Sequence, residues 1–177
     1  MEGRFLQARD AAGLRAEAAR AGEQGLGVVF VGQDGPGDPV VLAAGLAPVV
    51  PGLLLGARIR LDPDRRHPAV LARDLTGLDL ICGGRSVVCF APPFIEQLPE
   101  AIAVCRALWR AGEARHHGPH FAVRAAADRA RPAGQGSPLV ALDLTAGDPV
   151  PASLAGVPDL LVRPASDDPA ACRLERT

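Results

Sequence analysis

Short apolar runs of strand character alternate with stretches whose apolar residues recur three and four positions apart. This alternation constrains the fold more than any other property of the chain. Arg4 to Gln7, Val28 to Val31, Leu53 to Leu61, Ser86 to Phe90, Leu139 to Leu144 and Asp159 to Val162 read as strands. Between them, Asp10 caps a helix whose Ala11, Leu14, Ala18 and Ala21 share one face. Gly22 and Gly25 end it. Asp38-Pro39 supplies a cap followed by an N1 proline. His67-Pro68 opens a third helix, with Leu71, Leu75 and Leu78 along its apolar stripe and Gly83 at its close. Leu98, Ile102, Cys105 and Trp109 define one face of a fourth. His120 to Val123 reads as a short hairpin or excursion, and 129–138, rich in Pro and Gly, as a loop. Before the last strand only a turn remains, around Ala152 to Gly156. Strands alternating with helices argue for parallel βα units of one hand.

The chain has 177 residues, enough for one domain, taken as residues 1–164 with a polar tail over 165–177 that is expected to fray. Aromatics make up 3% against 48% hydrophobic residues, so Val, Leu and Ala must do the packing. All 19 basic residues are arginine, yet net charge is −1 and no basic block occurs, which excludes a nucleic-acid or anionic-membrane footprint. No basic segment leads into an apolar run, so no signal peptide is expected. No apolar run reaches the roughly 18 residues of a membrane span. Four cysteines form no CxxC pair and suggest no disulfide framework. The expectation is a soluble cytoplasmic domain.

Taken in order, the segments AEAARAGEQGLGVVFVG, DPVVLAAGLAPVVPGLLLGARIRL, HPAVLARDLTGLDLICGGR, EQLPEAIAVCRALWRAGEARHHGPHFAV and RPAGQGSPLVAL resemble the bacterial luciferase-like family of flavin- or F420-dependent oxidoreductases. AEAARAGEQGLGVVFVG is similar to that family's entry into its second strand, and DPVVLAAGLAPVVPGLLLGARIRL to its next helix and third strand. HPAVLARDLTGLDLICGGR is similar to its most recognisable block. EQLPEAIAVCRALWRAGEARHHGPHFAV resembles its helix ending in Leu-Trp with the short turn beyond, and RPAGQGSPLVAL the Pro-rich loop before its fifth strand. The likeness runs over residues 10 to 145. It implies a barrel binding reduced FMN or F420 at the carboxyl ends of its strands, and monooxygenation or hydride transfer on a small organic substrate. A complete (β/α)8 barrel takes about 250 residues. Five or six mostly parallel strands are expected here, an incomplete TIM-barrel-like domain. An open barrel exposes a sheet edge, which calls for a homodimer or a hetero-oligomer with a related chain.

The resemblance also directs attention to particular residues. Where the family has an acidic residue and a histidine after the second strand, this chain has Gln33 and Asp34. An amide exchanges no protons near neutral pH, so general acid-base work would fall to the candidate catalytic residue Asp34. Asp34-Gly35 also reads as a tight turn before the Asp38 cap, the commoner role of an Asp-Gly pair. Arg58 and Arg60 flank the end of the third strand, where cofactor pockets are lined. Arg85, at the family's Gly-Arg position, has forked donors that suit phosphate, or else it pairs with Asp79 or caps helix carbonyls. Arg58 and Arg85 are the candidate cofactor-binding residues. The family's glycine-rich turn after the fourth strand is replaced by Cys89-Phe90-Ala91-Pro92-Pro93, which removes backbone donors and adds bulk. His116, His117 and His120 form HHxxH, but Gly118-Pro119 interrupts it, so no metal is expected. Cys89 and Cys105 read as core thiols. P-loop, nucleophile-elbow and GxGxxG patterns are missing. Two functions are compatible with these residues. One is a luciferase-like oxidoreductase or monooxygenase of reduced length. The other is a non-catalytic subunit that pairs with itself or a full-length homologue.

Overall fold

A computed structural model describes residues 1–34, 37–62, 66–93, 95–126, 131–133, 137–147 and 149–177. Much of the expected 129–138 loop, and the Gly35 of the Asp34-Gly35 turn, lie outside the described residues.

Capping chemistry places the helices where the sequence signals stand. Asp10 is extended and its carboxylate accepts from the Gly13 N–H at 2.7 Å, starting α1 (Ala11–Glu23) after β1 (Glu2–Leu6). β2 (Val28–Val31) follows. Asp38 then accepts from Val40 and Val41 to begin α2 (Pro39–Leu46), with proline at the position whose N–H needs no partner. After β3 (Leu54–Ile59), the His67 ring nitrogen accepts from the Ala69 N–H at 3.2 Å and opens α3 (Pro68–Cys82). Gly83, at φ 67°, ends that helix in the left-handed region. β4 (Ser86–Phe90) and α4 (Leu98–Ala111) complete the fourth unit. A separate hairpin, β5 (Glu113–His117) and β6 (Ala122–Ala126), intervenes before β7 (Leu139–Asp143), β8 (Leu160–Pro164) and β9 (Ala171–Arg176).

Among the described residues the main sheet is a closed barrel of seven strands, in the order β1-β2-β3-β4-β7-β8-β9. β1 to β4, β7 and β8 run parallel, and β9 returns antiparallel between β8 and β1. The α/β, barrel-like class expected from the sequence is therefore what the chain forms. Two details differ. The sheet has more strands than the expected five or six, and it closes instead of leaving an edge. The strand that closes it lies in the segment expected to fray. Cys172 and Leu174 point into the barrel while Arg173 and Glu175 face out, an alternation that overall polarity conceals. The expected edge is paired on both sides, so it no longer argues for a partner.

Alternation along the strands separates two cores. Phe5, Val28, Phe30, Val87, Cys89, Ala141, Val162, Cys172 and Leu174 fill the barrel. Val29, Val31, Leu55, Ile59, Val88, Val140 and Leu142 face the helices, against Leu14, Leu71, Leu75, Ile102 and Trp109. Gly56 is required by this packing. A Cβ there would lie 2.0 Å from a Phe30 ring carbon. The Trp109 indole N–H donates to the Ala72 carbonyl at 3.0 Å and ties α4 to α3. Among the described residues, no helix is long and apolar enough to cross a membrane.

Candidate active site

Because six barrel strands run parallel, their carboxyl ends gather at one face, together with the loops that follow. Gln7 and Arg9 follow β1, Gln33 and Asp34 follow β2, and Arg60 follows β3. Pro92 and Pro93 follow β4, and Thr145 follows β7. Arg58 and Asp143 stand on interior positions of their strands, so both rise from the barrel centre into this mouth.

The Arg58–Asp143 pair organises it. Arg58 Nε donates to Asp143 Oδ2 at 2.6 Å, and its guanidinium sits 5.3 Å from the centre of the Phe5 ring. The other oxygen, Oδ1, accepts from the Thr145 N–H at 2.9 Å and from its hydroxyl at 2.6 Å. A carboxylate whose side chain is 1% exposed is thus fully provided with donors. Outward of it, Arg60 Nη2 donates to both oxygens of Asp34, at 2.5 and 2.6 Å. The Arg60 backbone N–H donates to Gln33 Oε1 at 2.6 Å. Both residues of the second-strand loop are therefore engaged by Arg60, although the Asp34 side chain is 74% exposed.

Three hollows open between these groups. One of 280 Å³ is lined by Phe5, Gln7, Arg9, Asp34, Arg58 and Thr145. A second of 320 Å³ lies between Arg58, Arg60, Pro92, Pro93 and Thr145, and a third of 430 Å³ lies beside Gln33, Asp34 and Arg60. An apolar groove of 410 Å³ between α3, α4 and β6 is remote from this face, and its lining has only Arg73 as an ionisable group. It is not the better candidate, because chemistry needs convergent polar groups.

The structure brings Asp34 and Arg58 to one cleft and leaves Arg85 elsewhere. Arg85 sits at the amino end of β4, where Nη1 donates to the Val50 carbonyl at 3.0 Å and also to the Leu53 carbonyl. It fastens the segment entering β3 at the opposite end of the barrel. Asp79 accepts from the Ser86 hydroxyl and, at 2.7 Å, from the Ala133 N–H. The HHxxH residues are also apart from the mouth. His116 Nε2 is 2.8 Å from Glu100 Oε2, and Glu100 also accepts from the backbone of His120 and Phe121. Among the described residues, no group of three or more His, Cys, Asp and Glu is arranged to hold a metal ion. The four cysteines are free and buried. Burial pushes the Cys105 thiol up to about 12. Burial, reinforced by the Asp143 charge, does the same for Cys172, and it raises Cys89 well above its ordinary value. None is poised as a nucleophile.

Sequence reasoning missed Asp143, Thr145, Phe5 and Arg9. A signal for Asp143 existed: an aspartate closing the apolar run Leu139 to Leu144 stands at a strand's carboxyl end, where barrel chemistry gathers.

The mouth suits a flat, polar-edged ring in part. Below it Phe5, Phe30, Cys89 and Val162 fill the barrel, so a ring could lie only across the top. There, Arg58 and Thr145 offer polar contacts. For a phosphate, Arg58 and Arg60 are already matched by carboxylates, and Arg9 is exposed with no partner among the described residues.

Fold and mouth together define an α/β barrel with its polar groups at the carboxyl ends of the strands, the architecture of barrel enzymes. Solved structures share this fold. F420-dependent tetrahydromethanopterin reductase from Methanopyrus kandleri superposes with a TM-score of 0.75 at 19% identity, covering 93% of this chain and 55% of its own. An F420-dependent secondary alcohol dehydrogenase, solved with an F420–acetone adduct, gives 0.73 at 19% identity, covering 93% and 58%. A monooxygenase from Streptomyces bottropensis gives 0.64 at 21% identity, covering 80% and 52%. The chain has the luciferase-like barrel fold, and it spans about half the length of these structures. No protein-family model and no curated protein matches the sequence.

Proposed function

We propose that this chain is a luciferase-like oxidoreductase that holds FMN or F420 across the carboxyl ends of its strands and acts on a small organic substrate. The observation that carries the reading is Arg58, fixed on buried Asp143, with its terminal nitrogens bonded to no described residue and facing the cleft. A bound flavin or deazaflavin would supply the two-electron chemistry. Arg58 and Thr145 would meet its polar edge. Asp34 would exchange protons once Arg60 released it. Four free thiols accord with a reducing compartment, and we place the protein in the cytoplasm.

The test is the visible spectrum of the purified protein, with titration by FMN and F420 while molecular mass is followed. Micromolar binding of either, weakened at least tenfold in Arg58→Gln, supports the proposal. A colourless protein indifferent to both sinks it.

A second reading is a non-catalytic subunit that pairs with itself or a related full-length chain. Gln33 and Asp34 are both occupied by Arg60, and Pro92 and Pro93 remove backbone donors from the mouth. The outer helices also expose Val41, Leu80 and Ile81, at 70, 48 and 61%. Assembly without cofactor binding would favour this reading.

A further inference from the structure

Among the three hollows at the mouth, the one between Phe5, Arg9 and Arg58 has a charge balance of its own. Arg9, Arg58 and Asp34 line it, while Asp143 pairs with Arg58 and Arg60 with Asp34 from outside the lining, so among these five described groups one positive charge is left over. Arg9 carries the surplus. It lines the cleft, is exposed, and meets no partner among the described residues.

Arg58 adds direction to that charge. Asp143 holds Nε from one side and the Phe5 ring supports the guanidinium from another, so the plane of the fork is fixed before a ligand arrives. The two Nη groups are bonded to no described residue, and they match the spacing of two oxygens on one planar carboxylate. At 280 Å³ the hollow lies just below the roughly 300–1,000 Å³ of drug-sized sites. It therefore has room for a short molecule and not for a whole nucleotide. The side chains of Gln7 and Thr145 at its walls can bond a hydroxyl or carbonyl next to that carboxylate.

We infer that this cleft binds the carboxylate of a short-chain organic acid, held by Arg58 and Arg9. The proposed function is assumed only in calling that acid the substrate. A phosphate monoester fits the balance less well, because its charge of about −1.5 to −2 at pH 7 exceeds the surplus.

The experiment is an NMR titration followed at the backbone amides of Gln7, Arg9 and Thr145, with lactate, with uncharged lactamide and with inorganic phosphate. Saturable millimolar binding of lactate, at least tenfold tighter than lactamide, is expected. Arg9→Gln removes an exposed side chain that bonds nothing described, so it keeps the fold and should weaken lactate at least threefold. Arg58→Lys keeps the charge and loses the fork, with a larger loss expected. Equal binding of lactate and lactamide, or an unaffected Arg9→Gln variant, overturns the inference. Phosphate binding tighter than lactate overturns the carboxylate assignment. FMN and F420 titrated into the same samples separate the two proposals. Lactate bound with neither cofactor refutes the oxidoreductase reading alone, and cofactor bound by a protein whose cofactor-free form does not respond to lactate refutes this one alone.

Discussion

Asp143 occupies an interior strand position where a carboxylate would be intolerable unless fully matched, and Arg58 with Thr145 matches it. Arg58→Ala leaves that charge stranded and should cost about 3 kcal/mol, the lower end of the range for breaking a buried pair, since Arg58 itself is 27% exposed. Urea unfolding checks this, and the Arg58→Ala, Asp143→Ala double variant should recover part of the loss. Glu100 allows a pH prediction. Burial opposes its charge, but the His116 hydrogen bond and the Phe121 and His120 N–H groups outweigh burial and hold its carboxyl below the ordinary 4.5. A depressed folded value means the stabilisation is present above the unfolded pKa and disappears as pH falls through the folded one. Unfolding midpoints from about pH 6 down to about pH 3 should therefore decline more for the wild type than for Glu100→Gln. An equal decline would remove Glu100 from the account. Of these residues, Asp34 and Arg58 were legible as strand-end positions. Asp143 was hidden because it reads as the tail of an apolar run until the barrel shows which face it takes.

Elements were legible to the extent that their signals are local. The caps Asp10, Asp38 and His67 begin helices where the sequence places them, and β2 and β4 match their runs residue for residue. β9 was not legible. Four of its six residues, Arg173, Glu175 and Arg176 with small Ala171, lack strand character, and only Cys172 and Leu174 carry the inward face. Its stability comes from two ladders made with strands distant in sequence, β1 and β8. Leu174→Asp puts an unmatched charge at a position 5% exposed inside the barrel. It should remove at least about 3 kcal/mol, and with β9 lost the variant should bind the dye ANS. The conservative Leu174→Met should stay within about 1.5 kcal/mol of wild type. Cooperative, wild-type unfolding of Leu174→Asp would show that β9 does not close the barrel in solution.

For the whole molecule, closure of the sheet moves the argument for a partner from edge to surface. Val41 on α2 and Leu80 and Ile81 on α3 stay exposed on the helical layer. If this layer is where the proposed pairing occurs, Ile81→Glu should shift sedimentation equilibrium toward monomer by at least tenfold in Kd and leave thermal stability nearly unchanged. A wild type that is monomeric at every concentration would end the proposal of self-pairing. The sequence by itself determined the order of the four helices and of the barrel strands before β9, the helix caps and the βα architecture, because periodicity, N-caps and glycine stops act over a few residues. It also marked Asp34 and Arg58 by their positions at strand ends. Only the tertiary structure decided that the barrel closes through β9, that Arg85 faces the opposite end, and that Arg58 is held on Asp143 in a cleft that Arg9 also lines. Each of these depends on which strands become neighbours, and pairing between residues 85 apart leaves no trace in local pattern.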